Sequence, residues 1–245
     1  MKIATWNLER AAPQTSQAER QRQWLDRINA DIWVLTETNL RLSPGANYQQ
    51  VASGRPDRPG QAGERWVQIW GRGGEMLSLE TEDKARTACA LVSLKNGPDC
   101  LIYGTVLPWL DSPWRSHPVT QGEAFLAALA LQQADWQRLQ LNHPNAVLIV
   151  AGDFNQDLDT FHYYGSRRNR LALQAALAEV GLACLTAGDH DPVRRLINGQ
   201  HANTDHICIA HSQASQFQTS FAWPAALDDL RGLSDHFGVG VELSP

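Results

Sequence analysis

Short runs of apolar or alternating residues recur along the whole chain, and they constrain the fold more than any other feature. Strands are expected at Lys2–Leu8, Asp31–Glu37, Trp66–Gly71, Glu75–Leu79, Thr87–Leu94, Cys100–Leu107, Ala146–Ala151, Asp205–Ala210, Gln216–Ala222 and Phe237–Leu243. Fewer segments read as helices. Ser16 with Glu19 resembles a capping box opening a helix to about Asn29. Thr120 with Glu123 opens a second, to about Leu141, with Phe125, Leu129, Trp136 and Leu139 on one face. Asn169–Val180 is the third, and Gly181 is its C-terminal cap. Many strands with few helices predict an α/β chain built as two packed sheets flanked by helices. The Gly- and Pro-rich stretch Ser53–Glu64 reads as a surface loop, because strand-like segments flank it on both sides. A single domain over residues 1–245 is the expectation.

The ends of these strands carry the chemistry. The first places Asn7 and Glu9 after an apolar approach, and the second ends on Glu37. The run "VLIVAGDFNQ" places Asp153 and Asn155, "NTDHICIA" begins with Asp205, and "LSDHFGV" sets Asp235 and His236 before the last strand. Distant in sequence, such ends converge on one rim in packed sheets. Carboxylates with asparagine amides are hard oxygen ligands, suited to Mg²⁺ or Mn²⁺. A carboxylate can orient or deprotonate water, and an imidazole paired with a second carboxylate can stabilise charge on a phosphate oxygen. Each residue alone reads equally well as a turn, a solvated terminus or a core histidine. Together they suffice for metal-assisted phosphoester hydrolysis.

The motifs "TWNLER", "LTETN", "GDFNQD", "TDHI" and "LSDHFGV" occur in the order seen in the endonuclease/exonuclease/phosphatase superfamily, which the chain resembles over nearly its whole length. The resemblance implies a four-layer, deoxyribonuclease I-like sandwich of two mixed sheets with the active site at one rim. It implies metal-binding roles for Glu37, Asn7 and Asp235, with Glu9 in the place of a further acid. It implies that Asp153 activates the attacking water, Asn155 holds the phosphate or that water, and Asp205 orients the catalytic His236. One departure stands out: Thr105 occupies the place where many members carry a histidine. A metal-bound water, Tyr163 or Tyr164 are the alternatives for the leaving-group donor.

Substrate contacts are expected from "HYYGSRRNRL", where Tyr163 and Tyr164 combine stacking rings with the charges of Arg167 and Arg168. The bland alternative is that the arginines cover a helix start and the tyrosines pack beneath it. Trp109 is a candidate substrate wall or a core cap. Arg194 and Arg195 form a second, weaker basic patch, and Asp157 and Asp159 read as solvated loop acids. A net charge of −5 argues against a protein that coats nucleic acid non-specifically. Nucleic acid is nonetheless the first expected partner, with a small phosphorylated molecule as the alternative. No motif of a membrane-inserting or inositol-phosphate-specific member is present. Cys89, Cys100, Cys184 and Cys208 show no paired spacing and read as free thiols of a cytoplasmic protein. No apolar run spans a bilayer, and none reads as a signal peptide.

Overall fold

The computed structural model describes residues 1–94, 98–115, 122–159, 164–201 and 203–244. In chain order its elements are β1 (Lys2–Asn7), α1 (Ser16–Ile28), β2 (Ile32–Asn39), β3 (Tyr48–Ala52), β4 (Glu64–Arg72), β5 (Gly74–Leu79), β6 (Thr87–Leu94), β7 (Cys100–Val106), α2 (Glu123–Asn142), β8 (Val147–Asp153), α3 (Arg167–Glu179), β9 (Leu182–Cys184), α4 (Pro192–Leu196), β10 (Asp205–Ala210), β11 (Phe217–Trp223) and β12 (Gly238–Leu243). The strands form two six-stranded mixed sheets. The first runs β11-β12-β1-β2-β4-β3 and the second β5-β6-β7-β8-β10-β9. Within each sheet one central pair is parallel, β1 with β2 and β7 with β8. The expected sandwich with flanking helices is therefore present.

All ten expected strands occur, with ends shifted by up to two residues. Two short strands were not legible. Edge strand β3 buries only Val51, so it carries no alternation, and β9 is three residues long. Helix α4 was also missed. It spans five residues, opened by the Asp191 side chain accepting from Val193 N and Arg194 N, with Pro192 in its first turn. The capping-box expectation for α1 is corrected by one residue, because the Thr15 side chain accepts from Ala18 N. Thr120, expected to open α2, lies outside the described residues, and left-handed Gly122 (φ 80°) precedes that helix. Helix α3 starts two residues earlier than expected, because Ser166 caps it by accepting from Asn169 N.

Period-two alternation sorts the core. Ile102 and Val106 of β7 face Val34 and Ile69 across the gap between the sheets. Leu101 and Tyr103 of the same strand face α2, against Trp136 and Phe125. On the other outer face, Ala18 and Leu25 of α1 pack against Trp6, Trp33 and Trp223. This gives four layers. Among the described residues no helix is long and apolar enough to cross a membrane.

Gly104 marks a close approach of the two sheets. A Cβ there would lie 2.5 Å from Val67 Cγ1 and 3.0 Å from Val34 Cγ1, both on the facing sheet. Gly104→Val is expected to force the sheets apart and cost about 1–3 kcal/mol. Urea unfolding checks this, and an unchanged midpoint would contradict it.

Candidate active site

The rim of the sandwich gathers groups from both sheets. Asn7 closes β1, Glu37 lies near the end of β2, Asp153 closes β8, Asp205 opens β10, and His236 stands just before β12. Asp205 is the register partner of Asp153, which sets the two carboxylates side by side. Asn7 and Asp205 are 2% and 1% exposed, Asp153 1%, Asn155 and Glu37 8% each.

Asp153 is held from three directions. Asn7 Nδ2 donates to its Oδ2 at 3.1 Å, Asn155 Nδ2 donates to the same oxygen at 3.1 Å, and Asn155 N donates to Oδ1 at 2.9 Å. Asn155 Nδ2 also donates to Leu107 O, and Asn7 Oδ1 accepts from Glu9 N. Both amide nitrogens thus position the Asp153 carboxylate. Burial pushes the Asp153 carboxyl up to about 6, with His236 pulling it down and Asp205 raising it further.

His236 Nδ1 lies 2.6 Å from Asp205 Oδ2, the distance of a charge-assisted bond. Ser234 Oγ fixes the turn, accepting from His236 N at 3.1 Å and donating to Asn7 O at 2.6 Å. Burial disfavours the imidazolium, but Asp205 and Asp153 outweigh it and hold the ring well above its ordinary pKa. Nε2 faces Asp235 at 3.9 Å, on the exposed side. Donor atoms of Asp153, Asp205 and His236 all lie within 4.8 Å of one another. Among the described residues Asp205 Oδ1 is buried without a hydrogen-bond partner.

Glu37 pairs with Arg10 Nη2 at 2.7 Å. Burial pushes its carboxyl up to about 7, Arg10 opposes this, and Asp153 adds to it. The backbone is strained here. Glu37 (φ 45°), Asn155 (φ 47°), Glu9 (φ 50°) and Arg10 (φ 52°) are all left-handed. Non-glycine residues in that region cost of order 1–3 kcal/mol each and collect at functional sites. Gly152 also has positive φ (137°), and a Cβ there would meet Thr105 O at 2.0 Å, so the glycine of "GDFN" is required.

The carboxylates of Asp153 and Asp235 act on Glu37 through space, countered by Arg10 and His236. This donor set, oxygen-rich and dense in negative charge, fits a hard divalent cation.

Several expected residues fall elsewhere. Thr105 sits on the helix-facing side of β7 and donates to Gln132 Oε1 at 2.7 Å, so alternation turns it away from the rim. Glu9 points outward, accepting from Gln17 Nε2. Tyr163 lies outside the described residues. Tyr164 is 39% exposed; burial and then the carboxylates of Asp153, Asp111 and Asp235 push its phenol up, which places it within the field of the rim. Arg167 is exposed at the start of α3, and Arg168 pairs with Glu123 at 2.6 Å. Trp109 packs on the inter-sheet core with Arg86 over its ring, and lines an open groove of about 660 Å³ with Arg58 and Arg115. The core-cap reading of Trp109 thus fits its packing. Asp157 and Asp159 are corrected, being buried rather than solvated. Asp159 accepts from Gly188 N at 2.6 Å and pairs with Arg194 at 3.3 Å, while Arg195 donates to Ser220 O. The second basic patch is therefore tied down.

Sequence reasoning missed Arg10 and Gln156. Gln156 is fully buried and donates to Tyr164 O and Asp157 O, which shapes the loop after Asn155. Nothing in the local pattern marks either residue.

The sequence matches no family model and no curated relative. Solved structures do match. An AP endonuclease from Leishmania major is 16% identical with a TM-score of 0.72, covering 100% of this chain and 87% of its own. A Bacteroides thetaiotaomicron mannosyl-6-phosphatase is 18% identical with a TM-score of 0.67, covering both chains fully. An endonuclease/exonuclease/phosphatase family protein from the same organism is 18% identical with a TM-score of 0.65, covering 99% and 94%. The chain has the deoxyribonuclease I-like fold. At these identities the similarity is one of fold, and the chemistry rests on the rim itself.

The Glu37 shift gives a stability test. Its folded value lies above the ordinary 4.5, so the stability linked to it is full below 4.5 and is lost as pH rises through about 7. In metal-free protein, Glu37→Gln is expected to flatten the fall in Tm across that window. Parallel Tm profiles for variant and wild type would contradict the assignment.

Proposed function

We propose that the chain is a divalent-metal-dependent phosphoesterase that attacks phosphodiester bonds of nucleic acid with activated water. The observation that carries this reading is the convergence of Asp153, Asp205 and His236 within 4.8 Å, at a rim that also holds Glu37, Asn7 and Asn155.

Each residue has a role. Asp153, aimed by Asn7 and Asn155, takes the proton of the attacking water. His236, kept protonated by Asp205, donates to a phosphate oxygen as charge develops. Tyr164 is the described tyrosine within the field of Asp153 and serves as proton donor to the leaving group. Glu37 and Asp235, with Asn7 beside them, would hold Mg²⁺ or Mn²⁺. The bound cation supplies electrostatic stabilisation of the phosphoryl oxygens.

The nuclease reading is favoured by the shape beside the rim. Pockets for small molecules are concave and bury most of their ligand. Here an open groove passes Trp109, Arg58, Arg86 and Arg115, combining a ring with cations, interleaved with Asp57, Glu82 and Asp83, of which Asp57 pairs with Arg86. That combination suits a strand's backbone and bases. The alternative substrate, a small phosphorylated molecule, needs no such groove.

A panel of oligonucleotides and small phosphoesters with Mg²⁺ or Mn²⁺ tests both. Asp153→Ala and His236→Ala are each expected to lower kcat by about 100-fold or more, and Tyr164→Phe by about 100-fold. Unchanged activity in the first two would sink the site. Binding to an oligonucleotide is expected to weaken steeply with salt, and a shallow slope would shift the substrate to a small molecule.

A further inference from the structure

The face of β10 opposite the rim carries a second group of reactive side chains. Alternation sends Asp205, Ile207 and Ile209 toward the gap between the sheets, and His206 and Cys208 toward the outer layer. Cys184, on edge strand β9, is the register partner of Cys208. Leu185 N donates to Ile207 O at 2.8 Å, so the neighbouring 185/207 pair is hydrogen-bonded. One step along an antiparallel ladder, Cys184 and Cys208 are a non-hydrogen-bonded pair. Such pairs have Cα atoms about 4.5 Å apart, within the range a disulfide bridges. Both thiols are free.

The two sulfurs are not equivalent. Cys208 is fully buried, whereas Cys184 is partly exposed. His206 Nε2 lies 3.0 Å from Gln156 O, and a carbonyl only accepts, so this nitrogen carries the hydrogen. Nδ1 lies 3.7 Å from Cys184 Sγ, and although burial disfavours the imidazolium, Cys184 and Asp191 raise the ring to about 9. Thr186 Oγ1 lies 3.8 Å from the same sulfur. Burial raises the Cys184 thiol, but Cys208 and His206 outweigh it and bring it well below its ordinary value. Burial and then Cys184 push Cys208 well above. The activated thiol of a partly exposed residue thus lies against a buried resolving one.

We propose that Cys184 and Cys208 form a reversible cross-strand disulfide, with Cys184 attacking a peroxide as the two-electron oxidant. The Cys184 sulfur bonds to one peroxide oxygen and the O–O bond breaks. The departing oxygen takes the thiol's proton and leaves as water or an alcohol, and Cys184 becomes a sulfenic acid. Cys208 then attacks that sulfur, the S–O bond breaks, and its own proton leaves with the hydroxyl as water. Two thiols are oxidised and one peroxide is reduced. This inference is independent of the phosphoesterase reading.

The test uses folded protein and hydrogen peroxide, followed by alkylation and non-reducing peptide mass analysis. The expected product is a peptide pair joined through Cys184 and Cys208, lighter by two hydrogens and released by dithiothreitol. Cys89 and Cys100 should remain alkylated. Cys208→Ser should leave a sulfenic acid at Cys184 that a 1,3-dione captures, and Cys184→Ser should abolish both products. Oxidation of Cys89 or Cys100 as fast as Cys184 would overturn the proposal. So would passage of Cys184 to sulfinic acid without cross-linking, or no reaction at Cys184.

Discussion

The bond from Asn7 Nδ2 to Asp153 Oδ2, 3.1 Å long, joins the end of a strand in one sheet to the end of a strand in the other. The contact between His236 and Asp205 does the same, since His236 leads into β12 and Asp205 opens β10. Neither sheet alone holds a complete site. A buried carboxylate without partners is strongly disfavoured, so Asp153 can sit at 1% exposure only where amides from both sides reach it. Packing the two sheets to within contact at Gly104 is what brings those amides and the histidine into range. The site is therefore a consequence of the sandwich, and its geometry depends on how closely the sheets approach.

Much of this was legible in the sequence because strands advertise themselves. Alternation identifies which residues leave the core, and a strand's last residues must face a rim, so Asn7, Asp153 and Asp205 could be read as convergent from the pattern of their runs. Glu37 was also legible, although the backbone turns left-handed there to present it. What alternation does not encode is the partner. Arg10 lies in an irregular segment, and its pairing with Glu37 follows from a strained turn at Glu9 and Arg10 that no propensity predicts. Asp157 and Asp159 read as solvated because acids in loops usually are. The burial of Asp159 depends on Gly188 and Arg194, which arrive from about 30 residues downstream. Thr105 shows the limit from the other direction. It stands where the resemblance would put a histidine, and the alternation of the strand turns it to the helix-facing side.

The same alternation gives β10 two chemistries. Asp205 faces the rim and His206, its neighbour, faces the outer layer, where it contacts Gln156 O and lies 5.5 Å from the ring of Phe154. Phe154 and Gln156 are in turn the residues between and after Asp153 and Asn155. The loop that aims the carboxylate is thus braced from behind by a buried imidazole. Sequence offered only "TDHI", in which the first charged residue drew attention and the second did not.

Charge at the rim is arranged so that the protein alone leaves the site short of positive partners. Among the described residues the largest counter-charges to Glu37, Asp153 and Asp205 are Arg10 and His236, and burial raises the carboxyl groups of all three. Four left-handed residues add strain in the same place. A fold optimised only for stability would relieve both, since neutral side chains and relaxed turns fit a strand end equally well. Together they describe an acidic and pre-shaped rim that gains most from a bound cation. Arg10 is the group that holds Glu37 meanwhile, from a half-buried position whose Nε also reaches Glu64 at 3.7 Å. With that second carboxylate in reach, the guanidinium can yield Glu37 without losing its own counter-charge.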